Sequence, residues 1–363
     1  MIQVSPAFAQ FWALFTRAHP IFSVTPAPRE ASWRARFWAL MTRTDPVFLS
    51  SAHACRPLPV DLIREDLSGR DLRGRELSRV MLADTDLSGA DLSDASLIGA
   101  NLVRADLTDA RLTGARLAEA DMSGIRLASG DLTSGSLVGV RLTTAKITHA
   151  DLDKADLTGA DLRGADLSDG RGNAILTNAD LSGATLTDVG FHDADLIGAN
   201  LTRADLTRAG LTRARLTDAN LAGATLVEAD LSEAILPRAD LSSANLRRAR
   251  LISVDLTRAV LTDTDLSEAT LTLARFSGSA VNGAIMVRAD LTRAVLTDTD
   301  LRGATLTDAN LTWALWSLET QWPAKLYTDI RRRSEEISPG VFRIRGAAGR
   351  DRAPVLRSPV PVS

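Results

Sequence analysis

From residue 62 onward the apolar positions recur every five residues. Leucine stands at 62, 67, 72 and every fifth residue to 167, resumes at Leu176 and continues to Leu311, with Trp316 closing the series. Of these 51 positions 44 are Leu, and the exceptions are Met122, Ile147, Phe191, Phe276, Val281, Met286 and Trp316, so the rule holds throughout. Two residues earlier stands Ala in 36 of 51 cases, the residue between is Asp or Asn in 26, and the residue after is mostly Ser or Thr. Residues 155–167, ADLTGADLRGADL, show the pattern undiluted. On an α-helix, steps of five would rotate successive leucines by about 140° and smear them round the circumference. On one long strand they would alternate between faces. Ala and Leu, two apart, can both point inward from one short extended step, with the acidic residue outward. The next two residues then turn a corner. Short steps joined by corners predict an all-β solenoid, its axis filled by Leu and its backbone paired with the coils above and below.

Composition fits that picture. Of 16 aromatic residues only Phe191 and Phe276 lie outside 1–59 and 313–342, so the long middle cannot have an ordinary mixed core. One cysteine, Cys55, excludes an internal disulfide framework. No apolar run reaches the length of a membrane span. No basic residue precedes Arg17, so the basic region of a secretory signal is missing and a cytoplasmic location is expected.

The A(D/N)LXX pattern over about 60–316 resembles the pentapeptide-repeat proteins. The resemblance implies a right-handed, four-sided β-helix with one pentapeptide per side, here close to 13 coils. Three departures carry expectations. Glu65, Arg70 and Arg75 occupy the small inward Ala slot. A charge cannot sit there unpaired, so the first coil is expected to be irregular or covered and the regular square to begin near residue 80. Between Leu167 and Leu176 the spacing is nine, and residues 168–173 (SDGRGN) read as a short bulge of four extra residues. Finally, VDLTRAVLTDTDL (254–266) recurs as ADLTRAVLTDTDL (289–301), seven pentapeptides on. With four to a coil the copy lands a quarter-turn round, as if length mattered more than one particular face.

Both ends differ from the middle. Residues 1–59 hold a duplication, FWALFTRAHPIF (11–22) and FWALMTRTDPVF (37–48). Each copy places aromatic residues at helical spacing before a proline, which predicts two amphipathic helices. They are expected to form a small helical N-terminal cap or docking region. Trp12, Trp33, Phe37, Trp38 and Arg43 are its candidate partner-binding residues, because Trp and Arg are frequent hot spots. Residues 317–346 are expected to form a C-terminal cap. Its helix would begin at Pro323, bury Leu326, Ile330 and Ile337, and stop at Ser338-Pro339-Gly340, while Trp313, Trp316 and Trp322 plug the axis. Residues 347–363 are expected to be a disordered tail.

Charge divides along the same boundaries. The net −3 of the chain is the sum of +4 in 1–59, +4 in 317–363 and −11 in 60–316, an acidic solenoid with basic flanks. No phosphate-binding loop, HExxH or nucleophile elbow occurs. The four histidines are scattered, and His53 with Cys55 is too small a set for a metal. No catalytic residue, cofactor or metal is therefore expected, and no direct nucleic-acid binding. The function expected is a non-enzymatic scaffold for an unidentified protein partner, with an end cap as the place for a homodimer. The resemblance supplies an alternative: some family members imitate DNA and occupy type II topoisomerases such as gyrase. Its candidate acidic surface is Asp66, Asp86 and Asp106, at 20-residue steps, although Arg126 and Lys146 interrupt the row. An effector or membrane-associated adaptor is the third class.

Overall fold

The chain divides into two units, Met1–Val60 and Asp61–Ser363. The structure, a computed structural model, describes residues 61–345. The helices expected in 1–59, with Trp12, Trp33, Phe37, Trp38 and Arg43, and the tail 347–363 lie outside the described residues.

The second unit is an all-β solenoid. Its parallel bridges join residues 20 apart, as in Asp66↔Asp86↔Asp106 and Arg215↔Ile235↔Asp255. An offset of four pentapeptides sorts the bridges into four ladders, one per side, climbing thirteen coils from Asp61 to Leu315. At ~4.8 Å per coil this column is about 60 Å tall. Inward positions are dry: Leu216, Ala214, Phe191 and Phe276 are fully buried.

One repeat explains the sequence rule. In Ala155-Asp156-Leu157-Thr158-Gly159 the Ala155 N–H closes a turn onto Leu152 O (3.0 Å). Asp156, Leu157 and Gly159 donate to Gly135 O, Ile175 O and Thr177 O in the neighbouring coils, at 2.9, 2.7 and 3.0 Å. The Thr158 N–H has no neighbour of that kind. It donates to Asp156 Oδ1 (3.0 Å), and so does its hydroxyl (2.6 Å). All five N–H groups are thus satisfied, as buried or edge-on backbone requires. Asp or Asn before the Leu, and Ser or Thr after it, are the pair that satisfies the fifth. The last residue turns the corner with a left-handed φ, near 60° at Arg79, Asp188 and Glu228. Where Thr replaces the inward Ala, its hydroxyl finds a carbonyl one coil away: Thr85 to Leu62 O, Thr264 to Leu241 O and Thr299 to Phe276 O, each 2.8 Å.

Several expectations need correcting. The square is regular from Asp61, which pairs with Met81, rather than from residue 80. Glu65 and Arg75 are half-buried and Arg70 exposed, because among the described residues the first coil has a neighbour on one side only and its charged side chains can leave the slot at the rim. Residues 168–173 do not form a bulge. Arg171 bridges Asp151 and Gly190, and Ile175 bridges Asp156 and Asp195, so 171–174 is a whole side made with four residues. One residue is missing there, not four added, and that coil closes in 19. Gly172 sits at the Leu position with φ 121°, and a Cβ on it would lie 2.4 Å from Asp153 N. The pinched backbone leaves no room for a side chain. Asn173 compensates by accepting the Lys154 N–H through Oδ1 (3.2 Å).

The C-terminal cap is mainly a sheet. Strand β1 (Leu315–Ser317) continues the last side. Helix α1 (Tyr327–Arg332) follows, then β2 (Ser334–Ser338) and β3 (Val341–Ile344), in the antiparallel order β1-β3-β2. The helix is shorter than expected because the chain enters β2 at Ser334, pairing Ser334 with Ile344 and leaving Ile337 exposed. Ser338-Pro339-Gly340 turns a hairpin instead of ending a helix, with Gly340 at φ 74°. Trp316 and Trp322 close the axis as expected. Their rings meet edge to face at 6.0 Å, Phe342 lies 4.6 Å from Trp316, and Trp316 Nε1 donates to Ser334 Oγ (2.9 Å). Trp313 does not join them. It stands on a corner, 39% exposed.

Candidate interaction surface

The outward groups that could meet a partner are the carboxylates and guanidiniums of the four sides. Asp66, Asp86 and Asp106 do fall on consecutive rungs of one ladder. Each is already used within its own repeat. Asp66 accepts the Ser68 N–H (3.0 Å) and hydroxyl (2.6 Å), and the hydroxyl bond is the main cause of its lowered pKa. Asp86 accepts the Ser88 N–H (2.9 Å). Asp106 accepts from Thr108 at 3.1 and 2.6 Å and meets Arg126 at 2.8 Å. The row then passes to Arg126 and Lys146.

This second side, residues 65–69 and those stacked below, holds thirteen acidic and six basic residues, −7 of the solenoid's −11. The excess acid is therefore one-sided. Along the corner of that side, however, signs alternate: Asp188, Arg208, Glu228, Arg248, Glu268, Arg288 and Asp308 follow at one-coil steps. Arg208 grips Asp188 with two bonds, and Arg248 lies 3.7 Å from Glu228 and 3.0 Å from Glu268. The same device recurs elsewhere as Asp84–Arg104, Asp193–Arg213 and Asp218–Arg238. In each pair the Arg hydrogen bond is the first cause holding the Asp below the usual carboxylate range, against a smaller opposing effect of burial. The acid precedes its Arg by one coil. That relation is written in the sequence at 20-residue spacing but has no meaning until four residue blocks are known to make a coil.

Among the described residues no group of three or more His, Cys, Asp and Glu is placed to hold a metal ion. Among them, too, no helix is long and apolar enough to cross a membrane. His149 lies 3.6 Å from Asp169, one coil on, as an ordinary corner pair.

Four parallel ladders of pentapeptide steps around a Leu axis define a quadrilateral repeat solenoid. The pentapeptide-repeat family model matches eight times, over 61–97, 90–127, 136–170, 174–213, 199–238, 214–251, 239–278 and 274–312, and the chain belongs to that family. Among solved structures it is similar to HetL, a pentapeptide repeat protein involved in heterocyst differentiation regulation in the cyanobacterium Nostoc sp. strain PCC 7120. Identity is 34% over 59% of this chain and 88% of that one, with a TM-score of 0.30. It is also similar to QnrB1, a plasmid-mediated fluoroquinolone resistance protein, at 16% identity over 56% of this chain and 88% of that one, TM-score 0.30. A pentapeptide repeat protein of the Arabidopsis thaliana thylakoid lumen is 31% identical over 35% of this chain and 72% of that one, TM-score 0.17. With TM-scores this low, membership rests on the eight matched copies and the four ladders. No match was found among curated proteins.

Proposed function

We propose that this protein is a non-enzymatic scaffold that holds a protein partner in the cytoplasm. The observation that supports the reading is the internal use of the repeat's polar chemistry. Asp and Asn side chains satisfy the fifth N–H of their repeats, and corner carboxylates are held by Arg one coil away. What remains is a long, stiff surface offering shape and scattered side chains, which suits recognition better than reaction. We place the main partner contact, or a homodimer contact, at the duplicated segments of 1–59, through Trp12, Trp33, Phe37, Trp38 and Arg43. Cross-linking the full chain in cells and identifying retained proteins tests this. A partner is expected that is lost on deletion of residues 1–30 while the β-rich circular dichroism of the solenoid persists. A full chain that retains no protein above background overturns the scaffold reading, and a deletion that keeps every partner overturns the docking site.

One observation favours a second reading, imitation of DNA at a type II topoisomerase: the −7 excess on the side that carries Asp66, Asp86 and Asp106. Against it stand the Arg-paired corners, which break any acidic stripe. Purified protein in a gyrase supercoiling assay is expected to have no effect. Salt-sensitive inhibition that disappears in the D66N/D86N/D106N variant would reverse the ranking. The effector or membrane-adaptor class has no observation of its own.

A further inference from the structure

One corner departs from the others by carrying large apolar side chains. On the corner after the third side, Asp193 pairs with Arg213 and Glu233 follows, but the series then runs Ser253, Leu273, Arg293, Trp313. Stacking of the last three is direct: Leu273 N–H donates to Thr292 O (3.0 Å), Arg293 N–H to Thr312 O (2.9 Å), and Trp313 N–H to Ile344 O in β3 (2.8 Å). Leu273 is 45% exposed and Trp313 39%. Both hold a left-handed φ, 62° and 63°, which bulky side chains adopt only at a cost. A glycine or aspartate would sit there more easily, as at other corners. Two large apolar groups are thus kept in water in a disfavoured backbone state.

Arg293 lies between them. Its neighbours one coil before and after are Leu and Trp, and among the described residues neither it nor Arg275, on the adjoining side, forms an ion pair. The carboxylates nearby are occupied. Asp290 accepts the Thr292 N–H (3.0 Å), the Thr292 hydroxyl (2.5 Å) and groups from Thr272 and Asn310 (both 3.2 Å). Asp255 is held by Thr257, and Asp298 by the Ser317 hydroxyl at 2.8 Å. Arg343 reaches over the Trp313 ring at 5.4 Å while bound to Glu335. The result is a ridge of Leu, Arg and Trp whose two guanidiniums have no ion-pair partner among the described residues.

From this geometry we infer that the ridge Leu273–Arg293–Trp313, with Arg275 beside it, docks an acidic segment of a partner protein that also carries aliphatic side chains. The inference rests on the scaffold reading and gives it a second contact surface. Positive charge without internal partners selects a carboxylate-bearing occupant, and the Leu and Trp flanks select apolar groups at matching spacing. Rungs ~4.8 Å apart suit an extended segment laid along the corner.

The probe is a fluorescein-labelled octapeptide, Asp-Glu-Leu-Asp-Glu-Leu-Asp-Glu, titrated with the full chain and read by anisotropy. A companion probe carries Ser in place of both Leu. Saturable binding of the first is expected, weakening as salt rises from about 50 to about 300 mM. R293E and L273S should each lower affinity on the order of tenfold, and the Ser probe should bind more weakly than the Leu probe. The control is R203E, because Arg203 stands on another corner, packed over Gly223 and without an aromatic neighbour. Absence of saturable binding up to about 1 mM, or an equal loss in R203E, overturns the inference. L273S, an exposed change, keeps the test sound if R293E perturbs folding. The scaffold reading fails separately, only if the cross-linked full chain retains no partner.

Discussion

Replacing Gly172 by Ala should damage this protein far more than the same change at Gly183, although both glycines have positive φ. Gly183, at φ 65°, has nothing within 4 Å of a built Cβ. G183A therefore meets only the left-handed penalty, about 1 kcal/mol, which Asp188 and many other corners already bear. Gly172, at φ 121°, lies in a region that L-residues scarcely enter, at a cost of about 1–3 kcal/mol. A Cβ there would stand 2.4 Å from Asp153 N, 2.6 Å from Leu152 C and 2.7 Å from Asp153 Cα. These are backbone atoms, so relief requires moving the chain. The bonds Leu152 N–H to Arg171 O (2.8 Å) and Gly172 N–H to Gly190 O (3.0 Å) would be strained or lost, each contributing about 1 kcal/mol. The total is on the order of 4–5 kcal/mol. Thermal melts followed by circular dichroism in the β band should show G183A lowered by about 2–4 °C and G172A by more than about 10 °C. Because each coil touches only its neighbours, the G172A melt should also split into two transitions, with new protease cleavage near residues 168–175. Equal melting of the two variants would refute the four-residue side and restore a bulge, in which a loop glycine has room for a methyl group.

Restoring the missing residue, by replacing Gly172-Asn173 with Leu-Thr-Asn, should return that coil to 20 residues and raise the melting temperature; a lowered one would show that the rest of the coil is adapted to the pinch. Leu216→Asp should cost more than about 4 kcal/mol, since Leu216 is fully buried on the axis, whereas Thr217→Asp, one residue outward and half-exposed, should be nearly neutral. Similar chemical-denaturation midpoints for those two variants would mean the inward register is misassigned. Acid should weaken the coils in a defined window. Arg73 holds the Asp71 pKa down to about 2 from 3.8, and Asp84, Asp188 and Asp218 are lowered in the same way by their own Arg partners. A carboxylate whose folded pKa lies below its unfolded one adds stability that is present above the unfolded value and lost as pH falls through the folded one. The melting temperature should thus hold steady down to about pH 4 and decline toward pH 2; a decline complete by pH 5 would point to groups other than these.

The coil was legible in the residues alone, because a period of five with two inward positions suits no helix and no straight strand. The register of Leu62 through Leu311 follows from that period, and the A(D/N)LXX pattern carries the resemblance to the family. The nine-residue gap was not legible. A count between two leucines cannot tell four added residues from one removed when the residue at the inward position is glycine, which shows no preference for inside or outside. Only the pairing of Arg171 with Asp151 and Gly190 decides it. Similarly, Asp66, Asp86 and Asp106 looked like free surface charge in the sequence. Their hydrogen bonds to Ser68, Ser88 and Thr108 are local and could have been anticipated from the Asp-x-Ser/Thr spacing, which marks a carboxylate satisfying the backbone two residues on. At the C-terminal end, Leu326, Ile330 and Ile337 matched a helical face, yet β3 offers Ser334–Ser338 an open edge, and pairing there outweighs the weak helix preference of a short segment. Trp316 falls at the inward step of the five-residue period and was placed on the axis by the sequence, whereas Trp313, expected to join it, was moved by the structure to the outward corner beside Arg293, because that position of every repeat turns the corner.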